Sequence, residues 1–291
     1  MIQTILQLAI NGILLGGVYA LISIGLTLIF GVMNIINFAH GEFLMLSMYI
    51  TFWLFHLYGV DPYLSILLIM PLFFLLGIFV QRVIIQPILN APHIAQIFAT
   101  VGLSIVMQNA ALLAWKADYR SIRVDYGISN IKVSGLIISF PRLVTFAIAI
   151  AIVMGLFIFL KETLIGKAIR ATAQNARAAL LMGINTKRIY YLAFALGTVC
   201  VGIAGGLLAP LYPTFPTVGS FFVLIAFVIV VLGGMGSMVG AFLGGLLIGI
   251  VEVFSGFYID LALKELFYFI VFISILIFRP SGLMGKRGLA R

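Results

Sequence analysis

From Arg188 to Glu252 the chain carries no charged residue between those two positions. A helix needs about 20 mostly apolar residues to cross the hydrocarbon core of a bilayer. This one stretch therefore has room for two or three crossings. It is not isolated: no charge precedes Glu42, none lies between Arg82 and Lys116, and none between Arg142 and Lys161. Lipid offers backbone amides no partner, so a spanning segment must be a helix or part of a closed barrel. Barrel strands alternate over segments of about ten residues, whereas these runs are longer and unbroken. Charged residues make up 9% of the chain and hydrophobic residues 64%, against roughly a quarter charged in a soluble domain. The expected fold is all-α: one polytopic transmembrane helical bundle over residues 1–291.

Apolar runs and their breaks place spans at Ile5–Phe30, Phe43–Tyr58, Pro62–Ile85, Ile94–Trp115, Leu143–Leu160, Tyr190–Leu211, Phe221–Met235, Met238–Val251 and Tyr258–Phe278. The region Gly233–Gly240 reads as one kinked helix, two short helices or a re-entrant hairpin, so the count is about eight crossings with nine as the upper figure. The first run has no basic residue before it and no clear small-residue cleavage site, which points to a retained first helix.

The net charge of +9 could suggest nucleic acid, but the basic residues sit in a few loops between apolar runs, as the positive-inside rule produces. Residues 161–188 hold Lys161, Lys167, Arg170, Arg177, Lys187 and Arg188 against the single acid Glu162. The tail holds Arg279, Lys286, Arg287 and Arg291. Both segments are expected in the cytoplasm. The 116–142 loop is also basic, yet one span separates it from 161–188, so it is expected outside. Alternation at Ile131–Ile138 suggests a small folded hairpin there. With the tail inside, an even count puts the N-terminus inside and an odd count outside.

Glycines recur every four residues at Gly12 and Gly16, Gly202 and Gly206, Gly236, Gly240 and Gly244, and Gly245 and Gly249. That spacing puts them on one helix face and lets backbones touch. A sharper reading makes Gly233, Gly234, Gly236 and Gly240 a helix break facing a cavity.

Asn34, Asn37, His40 and Glu42 follow the first span directly. Polar groups within a bilayer usually face the bundle interior or water, so these are candidates for the lining or gate of a pathway. The alternative is a turn at the interface with Glu42 among headgroups. His40 and Glu42 are two residues apart, which does not match the one-turn spacing of a helical zinc pair, and Cys200 is alone. No metal or cofactor is implied. Gly166–Gly183 is alanine-rich and free of proline, which predicts a helix of about four turns stopped by Gly183. Ile169, Ala173, Ala176 and Leu180 fall on one face; Lys167, Arg170, Gln174 and Arg177 fall on the other. Its shallow apolar face suits a protein groove better than insertion into lipid. His56 and His93, and Trp53 and Trp115, read as interfacial. Glu252, Asp260, Lys264 and Glu265 read as charges that flank or enter the last span, an end-of-helix location being the cheaper explanation. Gly166-Lys167 is followed by Ala168, and Gly285-Lys286 by Arg287, so neither is a phosphate-binding loop. No nucleophile–base set is present. The chain is not expected to be an enzyme.

Three passages, 25–42, the loop helix running into Gly183-Ile184-Asn185, and Leu232-Gly-Gly-Met-Gly-Ser-Met-Val-Gly-Ala241, resemble the LivH-type permease subunit of bacterial branched-chain amino-acid ABC transporters. The resemblance covers essentially the whole chain. It implies a bacterial inner-membrane location, a second permease subunit, two cytoplasmic ATPase subunits and an extracytoplasmic solute-binding protein. It also implies that Gly166–Gly183 is the coupling helix. Related permeases serve urea and amides, and a stand-alone solute channel or a purely structural membrane subunit remains an alternative.

Overall fold

In the computed structural model, which describes residues 1–133, 135–260 and 263–285, the first apolar run forms one helix, α1 (Ile2–Met33). It stops at Asn34, which turns left-handed (φ 55) while its N–H bonds Phe30 O at 2.7 Å. Asparagine tolerates that conformation better than other side chains. Then follow α2 (His40–Tyr58), α3 (Pro62–Ile88), α4 (His93–Trp115), α5 (Phe140–Glu162), α6 (Leu164–Gln174), α7 (Ala176–Leu181), α8 (Thr186–Leu208), α9 (Val218–Gly233), α10 (Met238–Tyr258) and α11 (Lys264–Phe278). A two-stranded antiparallel hairpin, β1 (Asn130–Val133) and β2 (Leu136–Ser139), lies between α4 and α5. It pairs Asn130 with Ser139 and Ile131 with Ile138, as the alternation there predicted. Among the described residues, six helices (α1, α3, α4, α5, α8 and α10) are long and apolar enough to cross a membrane. The chain is a predominantly helical, multi-pass membrane protein.

The core is built around α1. Between Tyr19 and Ile29 its residues are buried on every side, and α10 runs antiparallel along it. Glycines permit that approach. A β-carbon on Gly249 would stand 2.5 Å from Gly12 O and Gly16 Cα, and one on Gly245 would stand 2.7 Å from Ala20 Cα. Gly202 meets Phe73 of α3 and Gly206 meets Ile69. Gly240 and Gly244 face α9 through Gly233 and Ile229. Gly236 does not join them: it sits at φ 84 in the turn before α10, against Gly31. Gly233–Gly240 is thus a helical hairpin, with Gly234 at φ 98 supplying the reversal that a side chain would strain.

The helix ends define two faces of the bundle. One carries the α1 N-terminus, the α2–α3 link, the hairpin and the α10–α11 link. There Gln7 bonds both backbone groups of Ile137, at 2.7 Å from its Nε2 to the carbonyl and 2.8 Å from the amide to its Oε1. Asp61 caps α3 by accepting from Tyr63 N at 2.8 Å, and it also accepts the Tyr126 hydroxyl at 2.7 Å. Burial and that carboxylate push the Tyr126 phenol above its usual range. The opposite face carries α6, α7, the α9–α10 turn and the segment after α11, where Leu283 N bonds Leu232 O at 2.8 Å. Of the tail cations, Lys286, Arg287 and Arg291 lie outside the described residues.

The structure corrects several boundaries. Gly166–Gly183 is not one helix. Asn175 (φ −158, ψ 102) leaves the helical region, and its side chain accepts from Ala178 N at 3.0 Å, ending α6 and capping α7. Asparagine competes with the helix by such local bonds. The apolar face shifts with the break: Gly166, Ile169, Thr172 and Ala179 are buried, whereas Ala173 and Leu180 are exposed. Gly183 stands at φ 84 after the second piece. The eighth predicted span also runs on from Val251 to Tyr258, with Glu252 inside it.

Overpacking a tight core contact costs about 1–3 kcal/mol or more, so Gly249→Val is expected to lower the Tm of the detergent-solubilised protein clearly. Gly155→Val, at a position with nothing within 4 Å of an added β-carbon, is expected to change it little.

Candidate functional site

Two helices begin inside the bundle rather than at its surface. After Met33 the chain runs without helix to His40, whose ring Nε2 lies 3.0 Å from Ile22 O. A carbonyl only accepts, so Nε2 carries the proton. Ile22 lies on α1 roughly 16 Å from the Met33 end at 1.5 Å rise per residue. On the other side, α8 stops and Pro210, Pro213 and Pro216 carry the chain back inward without the amides a helix needs. α9 then starts at Val218. The two starts meet: a β-carbon on Gly41 would collide with the Gly219 carbonyl, and one on Gly219 with the Gly41 carbonyl. That contact brings the positive ends of both helices together, and neither start has a side-chain cap.

Irregular backbone at this depth persists only where protein or water satisfies it. Asn37 Oδ1 accepts from Ala39 N at 3.2 Å, and Thr100 of α4 donates to Ile36 O at 3.1 Å. On the second segment Thr214 and Arg120 exchange backbone bonds of 3.0 and 2.7 Å. The Arg120 guanidinium donates to Trp115 O at 3.0 Å and lies 5.1 Å from the Trp53 ring centroid.

Beside this junction α2, α4 and α9 bring four polar side chains together. Glu42, with 0% of its surface exposed, accepts at Oε1 from Gln108 Nε2 (2.8 Å) and Ser104 Oγ (3.1 Å). Gln108 Nε2 also donates to Ser220 Oγ at 2.9 Å. Glu42 Oε2, His40 Nδ1 and Asn37 Nδ2 are buried without a hydrogen-bond partner. Gln108 and the exposed Asn109 line a cavity of about 250 Å³ that reaches out to Ala117, Tyr119, Phe215 and Thr217. Gln108 thus stands in the cavity wall, with the Glu42 carboxyl group behind it.

Of the pathway candidates, Asn37, His40 and Glu42 are fully buried and lie near the junction, while Asn34 is exposed at the end of α1. An interfacial turn with Glu42 among headgroups does not fit that burial. The helix-break glycines lie at the α9–α10 turn, away from this cluster. Lys167, Arg170, Gln174, Arg177 and Gly183 are exposed on α6, α7 and their end, and Gly166 is buried against Phe159 and Leu160. Arg170 donates to Lys161 O at 3.2 Å. Beside Arg177 stands an exposed apolar patch, Leu180, Leu181 and Met182.

A second polar centre was not expected from the sequence. Lys264 Nζ pairs with Glu252 Oε1 at 2.7 Å, and Tyr19 OH donates to Glu252 Oε2 at 2.8 Å. Glu252 is buried within α10 rather than flanking a span. Its signal was a lone acid in an apolar run, which needs a cation from elsewhere in the fold. Ser104, Gln108 and Ser220 were also passed over, each being a single neutral residue in an apolar run. Among the described residues no three His, Cys, Asp or Glu side chains are grouped to hold a metal ion.

The family profile described as "Branched-chain amino acid transport system / permease component" matches residues 8–276. The chain belongs to this family. It is 32% identical over 294 residues to the high-affinity branched-chain amino acid transport system permease protein BraD of Pseudomonas aeruginosa, covering 97% of this chain and 96% of that protein. To LivH of Escherichia coli, named in the same terms, it is 31% identical over 299 residues, with the same coverage. A shorter likeness, 34% over 101 residues and 32% of this chain, links it to the ribose import permease protein RbsC of Bacillus subtilis. No solved structure matches it with significance. Members of this family are transporter permease components and not enzymes.

Removing one partner of a buried ion pair costs about 3–5 kcal/mol. Lys264 is a third exposed, so Lys264→Met is expected to cost somewhat less, roughly 2–3 kcal/mol, read as a lower Tm in detergent. The double variant Glu252→Gln/Lys264→Met is expected to recover part of that loss.

Proposed function

We propose that this chain is the membrane-spanning permease subunit of an ABC importer for branched-chain amino acids, driven by separate ATPase subunits. The observation that carries the reading is the nearly end-to-end likeness to permeases named for that transport. The absence of a nucleotide-binding or catalytic motif fits it, since ATP chemistry then belongs to a partner.

Topology follows from the two faces. If each of the nine helices α1–α5 and α8–α11 among the described residues takes part in one crossing, the count is odd. It exceeds the eight favoured from the sequence by one, because α9 and α10 are separate elements. The face with α6, α7 and the tail holds Lys161, Lys167, Arg170, Arg177, Lys187 and Arg188 and is the cytoplasmic one by the positive-inside rule. The N-terminus and the 116–142 loop are then extracytoplasmic, in a bacterial inner membrane. The partners are a second permease subunit, two cytoplasmic ATPase subunits, an extracytoplasmic solute-binding protein and membrane lipid. Nucleic acid has no role.

Segment 161–188 couples the ATPase to the bundle. Arg170 and Arg177 stand outward, and Leu180, Leu181 and Met182 offer an apolar patch of the kind that seats in a protein groove. Gly166 fits against the end of α5, and Ile169 is buried on the inner side of α6, which packs on α5 and α1, so a push on α6 and α7 is passed to α5 and α1. The glycine-lined α1–α10 contact lets helices shift at small steric cost, which a two-state transporter needs. The pathway runs along the α4 and α9 face, where Asn37, His40 and Glu42 lie behind Gln108 and Asn109. The Asn109 amide nitrogen donates to Ile105 O at 2.8 Å, and its remaining polar surface, costly against lipid, is satisfied by water or by the second permease.

Arg170→Glu/Arg177→Glu is expected to reduce co-purification of the ATPase subunits at least several-fold and to abolish leucine uptake, while the permease still inserts. Full assembly and full uptake by that variant would remove the coupling claim.

A further inference from the structure

Glu42 follows Gly41 of the half-helix junction directly, and it is only half satisfied. Its Oε1 takes two bonds, from Gln108 and Ser104. Its Oε2 is buried and takes none. A carboxylate can only accept, so the amide nitrogen of Gln108 faces Glu42, and the same nitrogen donates to Ser220 Oγ, whose hydroxyl could take either role. That fixes the orientation of the Gln108 amide. Its oxygen takes part in none of these bonds, and Gln108 lines the cavity of about 250 Å³ reaching to Tyr119 and Phe215. Gln108 thus brings to the cavity wall an amide whose orientation is set by the buried carboxyl group behind it. Around that amide the walls are Leu112, Phe215 and Pro216, with Asn109 and Thr217 at the side.

We propose that Gln108, oriented by Glu42, is the point at which the permease binds the ammonium group of a small zwitterionic amino acid as it passes. This rests on the transport reading above and adds a recognition element within the permease itself. Chemically the fit is direct. An ammonium has three donors and no acceptor, and it meets an amide oxygen with a carboxylate one residue deeper. A hydrogen bond to a charged group is about twice as strong as a neutral one. Entry of the cation also compensates the unpaired buried carboxylate, which is unfavourable alone. The apolar walls accept an aliphatic side chain. A neutral small amide carries no such charge and gains none of this. Gln108 would touch the solute; Glu42 acts through it and is a positioning residue.

The test uses the assembled complex, with ATPase subunits, partner permease and binding protein, in proteoliposomes. Uptake of radiolabelled leucine is measured for the wild type, Glu42→Gln and Gln108→Leu, alone and against excess isopentylamine (ammonium, no carboxylate) or 4-methylpentanoate (carboxylate, no ammonium). Glu42→Gln preserves size but removes the demand that the Gln108 nitrogen face inward. Both variants are expected to lose leucine uptake at least tenfold while the complex still co-purifies. Isopentylamine is expected to inhibit the wild type and to lose at least tenfold in potency on Glu42→Gln, whereas 4-methylpentanoate has no effect on either. A merely structural Glu42 would not change that selectivity. Leucine uptake within twofold of wild type in both variants overturns the proposal, as does inhibition by the carboxylate analogue and not by the amine. If Glu42→Gln does not assemble, Gln108→Leu, at a half-buried surface position, carries the decision by the same readings. A wild-type complex that takes up no leucine at all would instead contradict the transport reading.

Discussion

Two stretches of non-helical backbone, before His40 and before Val218, lie inside a bundle whose surroundings offer no hydrogen bonds. Everything around them is arranged to make that tolerable. The contact of Gly41 with Gly219 brings the two helix starts so close that neither residue could carry a side chain. Thr100, Asn37 and the Arg120–Thr214 pair supply bonds the lost helix turns would have made. A long central α1, clasped by α10 through small residues, provides the rigid wall on which His40 rests. Without that wall the His40–Ile22 bond and the depth of the α2 start would have no support.

Charge is used sparingly and at two levels. Near the face that carries the hairpin, Glu252 is satisfied by Lys264 and Tyr19 and ties α10, α11 and α1 together. At the junction, Glu42 has only neutral donors and keeps one oxygen unpaired. The first arrangement joins three helices, and its Glu252 and Lys264 also line cavities of about 190 and 650 Å³. The second adjoins a cavity through Gln108. The two buried acids differ in how fully their oxygens are paired.

Much of the fold was legible because lipid permits so few solutions. Charge-free runs mark the helices, and the four-residue glycine spacing marks faces where backbones can approach without naming the partners, which in the fold are α1 with α10 and α3 with α8. The errors share a cause. A charge was read as a boundary at Glu252, although an acid deep in a helix is allowed once Lys264 reaches it from the next helix. Asn175 was read as part of a helix because its neighbours are alanines, yet its side chain caps the second half. Gly236 was placed on a helix face although the helix starts only at Met238. At the candidate site Asn37, His40 and Glu42 were visible as a polar break, whereas Ser104, Gln108 and Ser220 were not. Each is one neutral residue in an apolar helix, and only the meeting of α2, α4 and α9 makes them a cluster.

A solute pathway at this place requires the α4 and α9 face to be wetted rather than covered by lipid. Thiol accessibility tests this directly, because Cys200, the single cysteine, is buried and can be replaced by alanine as a background. Single cysteines at Ser104, Asn109 and Ser220, and at the exposed apolar positions Leu75 and Phe157 of other helices, are exposed in the assembled complex to a membrane-impermeant methanethiosulfonate, with and without ATP. Modification at Asn109 and Ser220 in at least one nucleotide state, with Leu75 and Phe157 unreactive, is the expected result. No modification at positions 104, 109 and 220 in any state would contradict the account.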